Sequence, residues 1–212
     1  MIGQCCQDSD EVAEVCLNVF THLSCDDKLV ATLTPHNTQS LVCACMSAYP
    51  AHLPIQALAC HFLLNVSRDW RCNDSSGKAP VREAALELLA RALKQHGGDA
   101  RLVHDALQTV LHVLHSSERD ALASDVTERT QSTIFVMSFV QTEILPIALL
   151  LAQVSRQDAR VTSLCNKLMT FFTHRDDADS EYDLLRDEKM VVASLDIVSD
   201  GREYESIELL DE

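Results

Sequence analysis

"ALACHFLLNVSRD", residues 57–69, is the stretch on which the fold turns. Its apolar residues lie so close together that periodicity alone fits a buried helix as well as a buried strand. Composition separates the two. Glycine and proline number five each, aromatics make up 5% of the chain, and Leu, Ala and Val dominate, which favours helix over a turn-rich β chain. The stretch is therefore read as the body of a long helix from Leu53 to Asp69, and the chain as all-α. His61 and Asn65 then stand one helical turn apart on the same face. A helix with one stripe buried among similar helices and the other lining a groove accounts for both the apolar density and the polar pair.

Working outward, helix signals follow one another regularly. Asp8 with Glu11 reads as an N-terminal cap opening a helix through about Ser24, and Asp26–Leu33 as a short helix closed by Thr34-Pro35. Asn37 caps a helix to about Ala48, stopped at Tyr49-Pro50. After a loop over 70–79, Pro80 suits the first turn of a helix to His96, Gly97-Gly98 breaks it, and Asp99 starts another to about Ser116. The polar stretch 117–129 is ambiguous. Further helices are expected over 131–142, 144–155 and 158–174, the last capped by Asp158.

Four long helices align on their last turns when Ser24, Ser67, His115 and Thr173 are taken as equivalent. The preceding residue is then Leu23, Val66, Leu114 or Phe172. Four before stand Phe20, Leu63, Leu111 and Met169; five before, Val19, Phe62, Val110 and Leu168. Eight before stand Cys16, Ala59, Leu107 and Cys165; nine before, Val15, Leu58, Ala106 and Leu164. These apolar columns fall on one helical stripe, the signature of a buried face repeated. The reference positions lie about 43, 48 and 58 residues apart, with shorter helices between them, near the period of helical repeats built from two or three helices.

On these residues the chain resembles a divergent array of the armadillo and HEAT type. Residues 26–69 form the best unit: "DDKLVATL", "NTQSLVCACMSA", then "LPIQALACHFLLNVSRD". The closing helix is similar to the third helix of an armadillo repeat, with a small-residue-rich start, an apolar stripe and an Asn near its end. The resemblance covers roughly residues 8–175 and implies a right-handed α-solenoid of about four repeats, followed by an acidic C-terminal tail. A plain helical bundle is the structural alternative.

In such arrays the columns beside the apolar stripe line a groove. Here they hold Asn18, His61, Thr109 and Lys167; Thr21, Leu64, His112 and Thr170; and His22, Asn65, Val113 and Phe171. The candidate partner-binding residues are Asn18, His22, His61, Asn65, Thr109, His112, Lys167 and Thr170, which would hydrogen-bond a peptide or a helix of another protein. A merely solvated stripe is the plain alternative. Nuclear-import armadillo adaptors carry a repeated Trp and Asn ladder at these positions. Only Asn65 matches it here, with His61 in place of the Trp. Trp70 and Arg71, at the exit of the same helix, are a secondary candidate as an exposed aromatic flanked by Arg, although such a Trp also serves to cover its own helix end.

Charge and chemistry narrow the function. Residues 1–175 hold 18 acids against 14 bases, whereas 176–212 hold 14 acids against 3 bases, so the formal charge of −15 belongs mainly to the tail. That balance does not suit unassisted nucleic-acid binding. Nine cysteines include no Cys-x-x-Cys pair, and no charged-then-apolar leader opens the chain, so reduced thiols in the cytoplasm or nucleus are expected. Ile2 occupies the position where myristoylation requires glycine, while palmitoylation of Cys5 or Cys6 stays open. No apolar run reaches membrane-spanning length, "EILPIALLLAQV" (143–154) being interrupted by Pro146. His112 and His115 have ligand-compatible spacing without a local carboxylate. Phosphate loops, nucleophile elbows and zinc-protease motifs are missing.

The expected organisation is a helical repeat domain over 1–175 and an acidic tail over 176–212, whose residues 181–200 carry enough apolar side chains to cap the stack. The expected function is a scaffold without enzymatic activity, cofactor or metal, binding another protein along its third helices. A structural subunit of a larger helical assembly is the alternative, and a Cys/His-dependent enzyme the remote one.

Overall fold

The computed structural model describes residues 8–33, 38–68, 79–122, 127–154 and 158–173. Every regular element among the described residues is helical. In order these are α1 (Asp10–Leu23), α2 (Asp27–Leu33), α3 (Thr38–Ala48), α4 (Leu53–Ser67), α5 (Ala79–His96), α6 (Ala100–Leu122), α7 (Thr127–Phe139), a π turn (Val140–Ile144), α8 (Leu145–Val154) and α9 (Ala159–Thr173). The chain divides into two compact units, 1–169 and 170–212, and only the last residues of α9 are described in the second. The loop over 70–79, the tail, Cys5, Cys6 and the caps placed at Thr34-Pro35 and Asn37 lie outside the described residues, apart from Ala79, which opens α5.

Local chemistry sets most helix ends. The cap of α1 is Ser9 rather than Asp8: its Oγ accepts from Val12 N at 3.4 Å and relieves one of the unpaired first-turn amides. Asp99 Oδ1 accepts from Leu102 N at 2.7 Å, and Asp158 Oδ1 from Arg160 N at 2.9 Å, so α6 and α9 begin where the sequence places them. His52 caps α4 through its ring nitrogen, with a proline in the first turn. Other boundaries differ from expectation as well, with α7 starting at Thr127 rather than at 131. The α6 helix continues to Leu122, through part of the polar stretch that follows Ser116.

A further difference concerns Pro146. Thr127–Val154 is one continuous helical run, and Pro146 does not break it because the π turn Val140–Ile144 precedes it. Leu145 N donates to Val140 O, five residues back, so the backbone is already displaced where the proline withholds its own N–H. Val136, Val140, Ile144 and Ala148 stay on one buried face across the turn. By length and composition Ser132–Val154 is apolar enough to cross a membrane, contrary to the interruption read at Pro146, although a third of its most apolar window is buried in the domain. Polar bonds tie it there: Lys94 Nζ lies 2.8 Å from Glu143 Oε2, and Ser132 Oγ donates to Glu83 Oε1 at 2.9 Å.

Packing is ordered. The α1 helix packs on α4 and α4 on α6, while α3 packs on α5 and α5 on α7; α3–α4, α5–α6 and α6–α7 contacts join these two rows. The position of α4 answers why residues 57–69 are so apolar. Flanked by α1 and α6 and covered by α3 and α5, it buries Ile55, Ala59, Cys60, Phe62, Leu63, Leu64 and Val66 around most of its circumference. Full burial of a side chain such as Phe62 or Leu63 is worth roughly 1.5–3 kcal/mol.

The apolar columns hold for α6, where Ala106, Leu107, Val110, Leu111 and Leu114 are all buried, and for Leu164, Cys165 and Leu168 of α9. They fail in α1. There Val15 is 64% and Val19 51% exposed, and Leu23 is also open. The face α1 turns inward is Ala13, Leu17 and Thr21, with Phe20 leaning on Phe62 at a centroid distance of 6.4 Å. The reason is position: among the described helices α1 has extensive contacts with α4 only, so one narrow stripe suffices to dock it.

Candidate functional site

The polar residues of α4 sit at its two helix interfaces. His61 Nδ1 lies 2.7 Å from Asp105 Oδ2 on α6, and His104 Nδ1 lies 2.9 Å from Asp105 Oδ1, so both carboxylate oxygens are engaged. Asp105 is 5% exposed. Burial alone would raise its carboxyl, but the hydrogen bonds from His61 and His104, and their charge when protonated, outweigh it and hold the carboxyl below its ordinary value. An ionised carboxylate accepts only, so each histidine presents Nδ1–H to it, which leaves Nε2 as the acceptor nitrogen of each ring.

Toward the chain start, Asn65 Nδ2 donates to Ser24 Oγ at 3.0 Å, and Thr21 Oγ1 approaches both Leu17 O at 2.7 Å and Leu58 O at 3.1 Å. Toward α6, Ser67 Oγ lies 2.8 Å from Leu64 O and 2.8 Å from His112 Nδ1. A hydroxyl has one proton. If Ser67 gives it to Leu64 O, His112 Nδ1–H donates to Ser67 Oγ and His112 Nε2 accepts from Gln108 Nε2, 3.2 Å away. That single tautomer satisfies the whole buried chain of bonds.

These contacts sort the candidate residues. His61 and Asn65 are half-buried, each anchored inward by one atom, with His61 Nε2 and Asn65 Oδ1 pointing away from the anchoring contacts. Asn18 and His22 are exposed on α1, where His22 Nδ1 bonds Asn18 O at 2.8 Å. Lys167 and Thr170 are exposed on α9. Thr109 and His112 are not groove residues: Thr109 is fully buried and bonds Asp105 O at 2.7 Å, and His112 is 7% exposed. The α6 helix meets α4, α5 and α7, which leaves those columns no open side. Trp70 and Arg71 lie outside the described residues.

Asp105 was absent from the candidate set. The signal in the sequence was a carboxylate inside the apolar run "LVHDALQTVLHVL", beside His104. Elsewhere, an open cavity of about 450 Å³ between α3 and α5 is lined by Ser40, Cys43, Ser47, Glu87 and Arg91, among others. Burial pushes the Cys43 thiol up to about 11 and also raises those of Cys60 and Cys165, so these sulfurs are held as poorly nucleophilic thiols. No group of three or more His, Cys, Asp or Glu among the described residues is arranged to hold a metal ion.

No protein-family model matches the chain, and no curated protein or solved structure is significantly similar to it.

Proposed function

We propose that this chain is an armadillo-like helical-repeat scaffold, without chemistry of its own, that holds a peptide or helix of another protein along the polar edge of α1 and α4. Two rows of helices, α1–α4–α6 and α3–α5–α7, support the solenoid reading, since each row joins elements that recur in the same order along the chain. About four repeats, with α9 as the last third helix, belong to the same proposal.

The observation that carries the binding reading is the inward anchoring of His61 and Asn65 by Asp105 and Ser24. Side chains already fixed in one rotamer lose little entropy when a partner docks, so His61 Nε2 and Asn65 Oδ1 act as preset acceptors for a partner's N–H or O–H groups. Asn18 and His22 extend that edge along α1.

Selection of peptides from a displayed library on the wild-type chain, followed by affinity measurement on Asn18→Ala/Asn65→Ala, tests this. A loss of at least about tenfold with the helical signal retained is expected. Equal binding to both proteins would overturn the groove assignment.

A further inference from the structure

We propose that the exposed stripe of α1 is a second docking surface, which takes an amphipathic helix from a partner protein whose flanking residues are basic. The surface does not use His61 or Asn65, and it meets the proposed groove only along Asn18 and His22, which border both. Val12, Val15, Val19 and Leu23 are spaced three, four and four residues apart, so they form one continuous seam along a helix of fourteen residues. All four are at least 36% exposed, and Val15 reaches 64%. Single exposed apolar residues are ordinary, but an aligned row of them is the form in which one helix receives another. Helices pack through such ridges at separations of about 8–10 Å, and the 3-4-4 spacing suits a partner crossing at a shallow angle.

Charge selects the occupant. Between Asp8 and Asp27 the chain holds Asp8, Asp10, Glu11, Glu14, Asp26 and Asp27, and no Lys or Arg. Glu11 and Glu14 follow along one edge of the seam, ahead of Asn18 and His22 on the same side, whereas Asp8 precedes the cap Ser9 and Asp10 turns to the other face, 3.7 Å from His52 Nε2 at the cap of α4. Glu11 is exposed and Glu14 half-buried. A helix bearing Lys or Arg beside its apolar stripe would meet this edge with opposite charge. A second copy of the chain would bring the same acids against themselves, and the chain's own tail carries 14 acids against 3 bases, so both meet repulsion where a basic helix meets attraction.

The test uses the full chain and two synthetic helical peptides with identical apolar residues at i, i+3, i+7 and i+11, one edged with Lys and one with Glu, followed by fluorescence anisotropy. Saturable binding of the Lys-edged peptide is expected, at least about tenfold tighter than the Glu-edged one. Val15→Glu/Val19→Glu should abolish binding with the circular dichroism spectrum unchanged. Glu11→Lys/Glu14→Lys should reverse the preference between peptides. Binding that ignores peptide charge, or that survives the Val15/Val19 substitutions, would overturn the proposal. A photo-crosslinking residue at position 15 adds a second readout: crosslinks to the Lys-edged peptide support it, and crosslinks to another copy or to residues 176–212 that persist in excess peptide overturn it.

Discussion

His61 on α4 and Asp105 on α6 meet at 2.7 Å across a helix interface, although 44 residues separate them in the chain. The pair joins a half-buried imidazole to a carboxylate from which nearly all water is excluded. Because Asp105 has a folded-state pKa below its ordinary 3.8, its contribution to stability is fully present above that value and is lost as pH falls through the lower, folded-state value. Asp105→Asn should therefore destabilise the chain at neutral pH by about 1.5–3 kcal/mol, since Asn cannot accept from both histidines. Urea melts from pH 7 to pH 3 check this: the difference between variant and wild type should shrink below about pH 4, and a difference that does not change with pH contradicts it.

Exposure along α1 and α4 gives a contrast within one apolar pattern. Phe62 is fully buried, and Phe62→Ala should cost about 3–5 kcal/mol. Val19, an equivalent column position in the sequence, is 51% exposed, and Val19→Ser should change stability by no more than about 0.5 kcal/mol. Equilibrium denaturation of the two variants distinguishes an open α1 seam from a covered one.

The adjacent glycines after α5 are unequal. A Cβ at Gly97 would stand 2.9 Å from both Leu151 Cδ2 and Leu93 O, whereas nothing lies within 4 Å of one at Gly98. The leucine can rotate, but the carbonyl belongs to the helix end. Gly97→Ala should destabilise by about 1–3 kcal/mol, and Gly98→Ala should be neutral or stabilising by up to about 1 kcal/mol. Thermal melts of the two variants give the comparison directly.

Thiol reactivity follows burial. Cys25 is exposed, whereas Cys60 and Cys165 are buried with their thiols pushed up. Site-resolved alkylation by mass spectrometry at pH 8 should modify Cys25 within the first time points and leave Cys60 and Cys165 unmodified until denaturant is added. Rapid alkylation of Cys60 in the native chain would contradict the α4 packing.

Much of the helical organisation was legible because it rests on local chemistry. Asp99, Asp158 and the Gly97-Gly98 break act within one helical turn, and the sequence places them where the structure has them. The helices expected over 131–142 and 144–155, and the apolar run read as interrupted at Pro146, are one continuous run because a π turn, set by backbone hydrogen bonding rather than by any one side chain, lies just before the proline. Val15 and Val19 carry the same apolar letters as residues that are buried in α6, and nothing in those letters shows that α1 stands at the end of a row. The partners of His61 and Asn65 depend on how neighbouring helices register, with Asp105 and Ser24 lying 44 and 41 residues away. That register comes from packing and has no marker within a single helix.

Chemical-shift mapping of the isotopically labelled full chain, titrated with a library-selected extended peptide, tests the groove reading most directly. The account predicts that the largest perturbations fall on Asn18, His22, His61 and Asn65. Perturbations centred instead on Ser40, Ser47, Glu87 and Arg91, around the cavity between α3 and α5, would contradict it.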